Sequence, residues 1–248
     1  MAEMDRQVLC DFVNTEIVKF HQARLASLRR LKLDAVLKKN PYLFKAKNIS
    51  VASELISAIM DAFLSSSEEE MFGAFLEELA IFVSEKTHSG RKSTATGLDL
   101  EFDRDGTRFL VAIKSSTNWG NSSQYAKLAD NFKKAVQVQR QSHRIAHVQP
   151  VLGMCYGKSP AFTDTGTYWK LSGQRFWHFL SGDEDLFVDI IEPIGYEAKK
   201  HNDDFDASRA AIQNRLTAEF MSQFCNEDFS INWPKLVAFN SGNMQQGT

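Results

Sequence analysis

Two runs of strict alternation stand out in residues 97–114. Leu98, Leu100 and Phe102 alternate with Asp99, Glu101 and Asp103, and Phe109, Val111 and Ile113 alternate with Leu110, Ala112 and Lys114. A period of two marks a strand with one face toward a core. Between the runs lies Asp105-Gly106, a pair suited to the two-residue hairpin turn whose central positions both need positive φ. Such a turn pairs Arg104 with Thr107, so Phe102 faces Phe109, Leu100 faces Val111 and Leu98 faces Ile113. A slip of one residue would set apolar side chains against polar ones, so the pattern selects its own register. The opposite face then carries Asp99 across from Ala112, with Lys114 diagonal to Asp99 and within reach of one small site.

Elsewhere the apolar spacing predicts helices. Residues 5–39 carry Val8, Phe12, Ile17, Leu25, Leu28, Leu31 and Leu37 at near-helical intervals. Asn40-Pro41 ends that run, because proline disfavours helix in the residue before it. A second helix is expected over residues 51–64, broken by Ser65, Ser66 and Ser67. Ser67 and Glu70 form a capping box that starts a third, with Phe72, Phe75, Leu76 and Leu79 buried and Glu77 and Glu78 flanking the stripe. Past Ile81 this helix either continues or gives way to a strand. Residues 87–96 read as polar loop, 122–141 as helix, 150–156 as a buried strand and 157–167 as loop. Short helices are expected at 174–180 and 186–200, a longer one at 207–224, and a polar tail at 241–248. The order defines an α/β fold, a small central mixed β-sheet flanked by helices, with helical N- and C-terminal elaborations. The expected organisation is an N-terminal helical region, residues 1–64, and a core with C-terminal helices, residues 65–248, in one compact domain.

Composition narrows the class. The chain has 248 residues, 43% hydrophobic and 24% charged, an ordinary balance for a soluble globular protein. No uninterrupted apolar run could span a membrane, and the start, Met-Ala-Glu-Met-Asp-Arg, lacks a secretory signal. The cytoplasm is the expected location. Cys10, Cys155 and Cys225 form no CxxC pair or disulfide framework, and the six histidines lack zinc spacings. Charge is unevenly spread. Residues 24–47 hold eight basic side chains and one acid, Asp34, whereas acids dominate 181–206. Such asymmetry suits a basic face presented to phosphates.

An acid and a lysine on one hairpin face suit metal-assisted phosphodiester hydrolysis. A carboxylate holds a hard divalent cation, the cation acidifies a bound water, and a lysine neutralises charge that builds in the transition state. Leu98-Asp99 followed by Val111-Ala112-Ile113-Lys114 resembles the PD-(D/E)xK nuclease motif. The wider run of Ile81-Phe82-Val83, residues 97–102, Ala112-Ile113-Lys114-Ser115 and residues 118–124 is similar to a group of type II restriction endonucleases. The likeness extends to residues 173–177 and 181–184 and covers roughly residues 40–240. It implies a restriction-endonuclease-like core and a magnesium-dependent enzyme, using one or two ions, that cuts double-stranded DNA at a short specific sequence. It also implies a homodimer and a cognate DNA methyltransferase in the same system. The alternatives are a structure-directed repair or recombination endonuclease, a catalytically inactive DNA-binding protein of the same fold, and a helical interaction protein whose hairpin is incidental.

The chain departs from the motif at Ala112, where the family has an acid. Asp99 and Lys114 are expected to be catalytic, with Asp99 a metal ligand. The acid missing at 112 is expected from the helix before the sheet, as Glu77 ahead of Glu78, with Glu101 on the strand as the rival. The Ile113 main chain would complete the metal's oxygen set. For DNA, the loop leaving the catalytic strand offers Ser115, Ser116, Asn118, Trp119, Asn121 and Gln124, and the following helix offers Lys127 and Lys134. Such groups bond phosphates or base edges. The role of Arg175 in Gly-Gln-Arg-Phe-Trp is left open.

Overall fold

The computed structural model describes residues 4–142, 147–158 and 163–242. The chain begins with helices α1 (Arg6–Arg29), α2 (Leu33–Val36), α3 (Pro41–Ala46) and α4 (Ala52–His88). Strands β1 (Arg91–Lys92), β2 (Leu100–Arg104) and β3 (Thr107–Lys114) follow, then α5 (Ser122–Ser142), β4 (His147–Met154), β5 (Thr163–Asp164) and β6 (Trp169–Ser172). The remainder is helical: α6 (Gln174–Ser181), α7 (Leu186–Asp189), α8 (Ile191–Ile194), α9 (Ala198–Phe224) and α10 (Trp233–Ser241).

The strands form one mixed sheet in the order β1-β2-β3-β4-β6-β5. The three on the β1 side are antiparallel; β3, β4 and β6 run parallel; β5 is antiparallel to β6. The hairpin turn is as expected. Asp105 and Gly106 take φ of 51° and 73°, a conformation open to glycine and tolerated by aspartate.

Burial along β3 corrects one expectation. Phe109 through Ile113 are all buried, so both faces of the hairpin are covered. On one face Leu98, Leu110, Ala112 and Leu152 pack against Leu128, Phe132 and Ala135 of α5. On the other, Phe102 stacks on His88 of α4 at 4.7 Å and on Phe109 at 5.1 Å, with Phe179 of α6 edge-on to Phe109 at 5.2 Å. A parallel pair reached by a helical crossover is sandwiched in this way by helices on both sides.

The chain divides into two compact units. One comprises Met1–Val18 and Phe72–Tyr196 and holds the sheet; the other comprises Lys19–Met71 and Glu197–Thr248 and is helical. The second has its own core, from Leu28 and Leu55 through Leu216 and Phe220. Within it Arg24, from the basic stretch, bonds Glu68 at 2.5 Å and lies over the Phe205 ring at 3.6 Å, so that cation is spent on packing. Both α1 and α4 cross the division, and residue 64, the expected boundary, falls inside α4.

Several elements differ from expectation. Helix α4 continues through Ser65–Ser67 and Ile81 without a break, since serine costs a helix only a fraction of a kcal/mol. The first helix stops at Arg29, and Asn40 caps α3 by accepting from the Tyr42 and Leu43 amides. Pro41 therefore starts a helix instead of ending one. Strands β1, β5 and β6 and helix α10 were not anticipated, and the expected tail beyond residue 242 lies outside the described residues.

Phe132 is fully buried between α5 and the sheet, so Phe132→Ala should cost about 3–5 kcal/mol in urea unfolding, whereas Lys133→Ala on the exposed side should stay within about 0.5 kcal/mol. Burial, then the His201 and Arg24 charges, hold the His21 imidazole down at about 4. An unfolded histidine titrates near about 6.5, so on acidification the unfolded chain takes up this proton first. Stability should therefore fall as pH drops from about 6.5 to about 4, and His21→Gln should flatten the urea midpoint over that window.

Candidate active site

Strand β2 pairs Leu100 with Val111, yet the amide of Asp99 also donates to the Val111 carbonyl, at 2.9 Å. Two residues thus oppose one, which is a β-bulge. The bulge sends Leu98 to the α5 face, among Leu110, Ala112 and Phe132, so the expected Leu98–Ile113 pair does not form. It also re-aims Asp99. Instead of lying across from Ala112, the Asp99 carboxylate accepts the Ile113 amide at 2.6 Å. A regular ladder would have paired that amide with the chain at residue 98, and the side chain takes its place.

Ala112 is fully buried in the apolar cluster under α5. An acid there would displace packing and lie among leucines and phenylalanine, which costs heavily without a partner. The room beside Ala112 is therefore filled, and on α4 Glu77 lies close enough to Asp99 for their charges to interact. A Cβ placed on Gly73 would lie 3.7 Å from the Ser115 side chain, so α4 passes directly beside the residue after Lys114. One turn on is Glu77. Burial raises its carboxyl above the usual range; the Asp99 charge raises it further, while Lys92 and Lys114 pull it down. Asp99, Glu77, Lys92 and Lys114 thus form one electrostatic cluster, with both acids half-buried.

Lys114 lies with its ammonium 5.6 Å from the centre of the Trp119 ring, within cation–π range. Lys92, on β1, bonds Glu78 at 3.1 Å, and that bond raises its ammonium, with Glu77 and Asp99 adding. Cys155 also borders the cluster. Burial pushes its thiol up to about 12, with Glu77 and Asp99 adding, so it is an inert core thiol.

The other anticipated residues fall into distinct places. Glu101 is buried and accepts from Arg91 at 2.6 Å, pairing in register with Leu110. Asn121 and Gln124 cap α5 reciprocally: the Asn121 side chain accepts the Gln124 amide at 3.1 Å, and the Gln124 side chain accepts the Asn121 amide at 2.9 Å. Ser116 accepts from the Asn118 amide at 3.4 Å, and Asn118 is exposed. Trp119 lies under the loop against Tyr125 at 4.7 Å, its indole N–H buried without a hydrogen-bond partner. Lys127 is exposed, and Lys134 pairs with Asp130 at 2.6 Å.

Lys92 is the site residue that sequence reasoning missed. Its run, Gly90-Arg91-Lys92, is too short to show strand periodicity. The reciprocal cap was legible, since Asn121 stands three residues before Gln124 ahead of an apolar helical stripe.

A mixed α/β sheet flanked by helices, with an acid and a lysine at the meeting of an antiparallel hairpin and a parallel pair, has the architecture of a restriction-endonuclease-like core. The family model for type II restriction endonuclease EcoO109I matches residues 7–202. The chain belongs to that family, and is thus a site-specific deoxyribonuclease of a restriction system, a hydrolase of phosphodiester bonds. No curated protein matches the chain. Among the described residues no helix is long and apolar enough to cross a membrane.

The cap makes Asn121 testable apart from any contact with DNA. Asn121→Ala should lower stability by about 1 kcal/mol, while Asn121→Asp, which still caps, should stay near wild type. Loss of DNA binding in Asn121→Asp at unchanged unfolding midpoint would identify a direct contact.

Proposed function

We propose that this chain is a magnesium-dependent enzyme of PD-(D/E)xK type that cleaves double-stranded DNA at a short specific sequence, with Asp99, Glu77 and Lys114 at the reacting centre. The observation that carries this reading is the convergence of the bulge-held Asp99 and the half-buried Glu77, whose carboxyl is held above its usual range by burial and by the Asp99 charge, next to Lys114. A hard cation relieves that repulsion. Magnesium keeps several solvent and phosphate oxygens in its shell and needs only one or two carboxylates from the protein. Asp99 and Glu77 would hold it, with the Ile113 main-chain oxygen adding a neutral ligand. When bound, the ion polarises the scissile phosphate and lowers the pKa of a water. Lys114 places a fixed positive charge where the phosphate becomes more negative, and Trp119 restrains that side chain. Glu78 and Glu101 are weaker ligand choices, because Lys92 and Arg91 already hold them.

Ser115, Ser116 and Asn118, which follow Lys114, would meet the DNA near the cut over the supporting ring of Trp119, and Lys127 and Lys134 on α5 would meet phosphates further out. A palindromic target calls for two copies related by symmetry, so a homodimer is expected, working in the cytoplasm beside a cognate methyltransferase.

Digestion of plasmid by purified protein tests the reading. Discrete bands should appear with magnesium or manganese and vanish in chelator, while calcium should support binding without efficient cutting. Smears or branched-only cutting would indicate a structure-directed nuclease, and shifted but uncut DNA a binding protein.

Single substitutions test the roles. Asp99→Ala, Glu77→Ala and Lys114→Ala should each abolish cleavage with the fold intact, and Lys114→Ala should still bind DNA. Glu78→Ala and Glu101→Ala should leave measurable cleavage. Loss of cutting in Glu101→Ala alone would move the second acid to β2.

A further inference from the structure

At the carboxyl ends of parallel strands β4 and β6 opens a cavity of about 1070 Å³. Open α/β sheets bind ligands at strand ends of this kind. The walls are largely apolar and aromatic, with Phe72, Tyr156, Trp177, Phe187 and Ile191 among them. Lys158, Arg175 and Ser172 also line it. Ser172 is 5% exposed, and its hydroxyl is buried without a hydrogen-bond partner.

The start of α6 borders the cavity through Gly173, Gln174 and Arg175. Gly173 sits at φ 52°, where a Cβ would come within 2.8 Å of the Gly157 carbonyl, so the turn into α6 requires glycine. A helix start presents main-chain amides and positive dipole. The cavity also adjoins the cleavage cluster. Its wall residues Cys155 and Tyr156 donate their amides to the carbonyls of Lys114 and Ser115, both at 2.9 Å. Leu76, also on the wall, immediately precedes Glu77.

An occupant matching these walls has a flat apolar body, an anionic group and a polar edge. We propose that the cavity receives one nucleotide of the substrate strand, turned out of the base stack beside the scissile bond. The inference rests on the nuclease reading above. The base lies against the exposed rings of Tyr156 and Phe187, as unstacked bases do on aromatic platforms. A phosphate meets Arg175, Lys158 and the start of α6. Arg175 thereby acquires a role as a phosphate clamp.

The test uses duplexes that carry the mapped cleavage site, with 2-aminopurine placed in turn at each position flanking the cut. Binding is followed in calcium by anisotropy and unstacking by probe fluorescence. One position should brighten several-fold with wild type. Ile191→Trp, which fills the cavity from an exposed position, should abolish that signal and weaken binding by about tenfold, in the range that one stacked base contributes. Arg175→Ala should diminish it. Wild type that binds and cuts without brightening at any position overturns the proposal and leaves the nuclease reading standing. Absence of both binding and cutting overturns both. If Ile191→Trp instead changes the mass of the particle in solution while the probe signal persists, the cavity holds a second copy of the chain and the proposal falls.

Discussion

One short contact, the Asp99 carboxylate on the Ile113 amide, governs how the site is built. At an ordinary ladder position that amide would be satisfied by main chain. The bulge removes the main-chain partner, and a buried amide left alone would cost about 1–3 kcal/mol. Asp99 supplies the partner and is fixed by it. One carboxylate oxygen is committed to β3; the group as a whole is held one strand in from the sheet edge, where α4 can bring Glu77 alongside. The acid is thus oriented by the backbone of the very strand that ends in Lys114.

The surrounding layers make this arrangement stiff. Phe132 and Leu128 press on one face of the sheet, and His88, Phe102 and Phe179 fill the other. Burial of this kind lowers the local dielectric, so the Asp99–Glu77 repulsion and the Lys114 attraction act more strongly than they would in water. Lys92 is exposed and bonded to Glu78. It contributes a softer, salt-screened charge at the rim, while Lys114, half-buried beneath Trp119, contributes the fixed one.

What could be read in advance was whatever left a periodic or chemical trace. The Asp105-Gly106 turn set the hairpin register as far as Leu100–Val111. The stripe on α5 marked its inward residues, and the acidic pair on α4 marked Glu77, whose charge interacts with that of Asp99. The bulge left no trace, because Leu98 and Asp99 keep the alternation while the backbone breaks it. Ala112 looked like a vacancy for an incoming acid, but alternation alone cannot reveal that both faces of β3 are covered. The three serines in α4 looked like punctuation; at about half a kcal/mol each, their helix cost is small beside the burial of Leu64, Phe75 and Leu76 on the same helix. Two-residue strands such as β1 and β5 lie below the length at which any period can be recognised.

The brevity of those two strands also bears on how copies of the chain can associate. Among the described residues β1 and β5 close the two edges of the sheet, each with two residues, all exposed. An edge that short offers too few open amides and carbonyls to template another strand, and the arginine and lysine of β1 discourage a like neighbour by charge. Pairing by sheet extension is thereby disfavoured, and so is runaway polymerisation along the hydrogen-bonding direction. A symmetric association through helical or loop surfaces, by contrast, closes on itself after two copies.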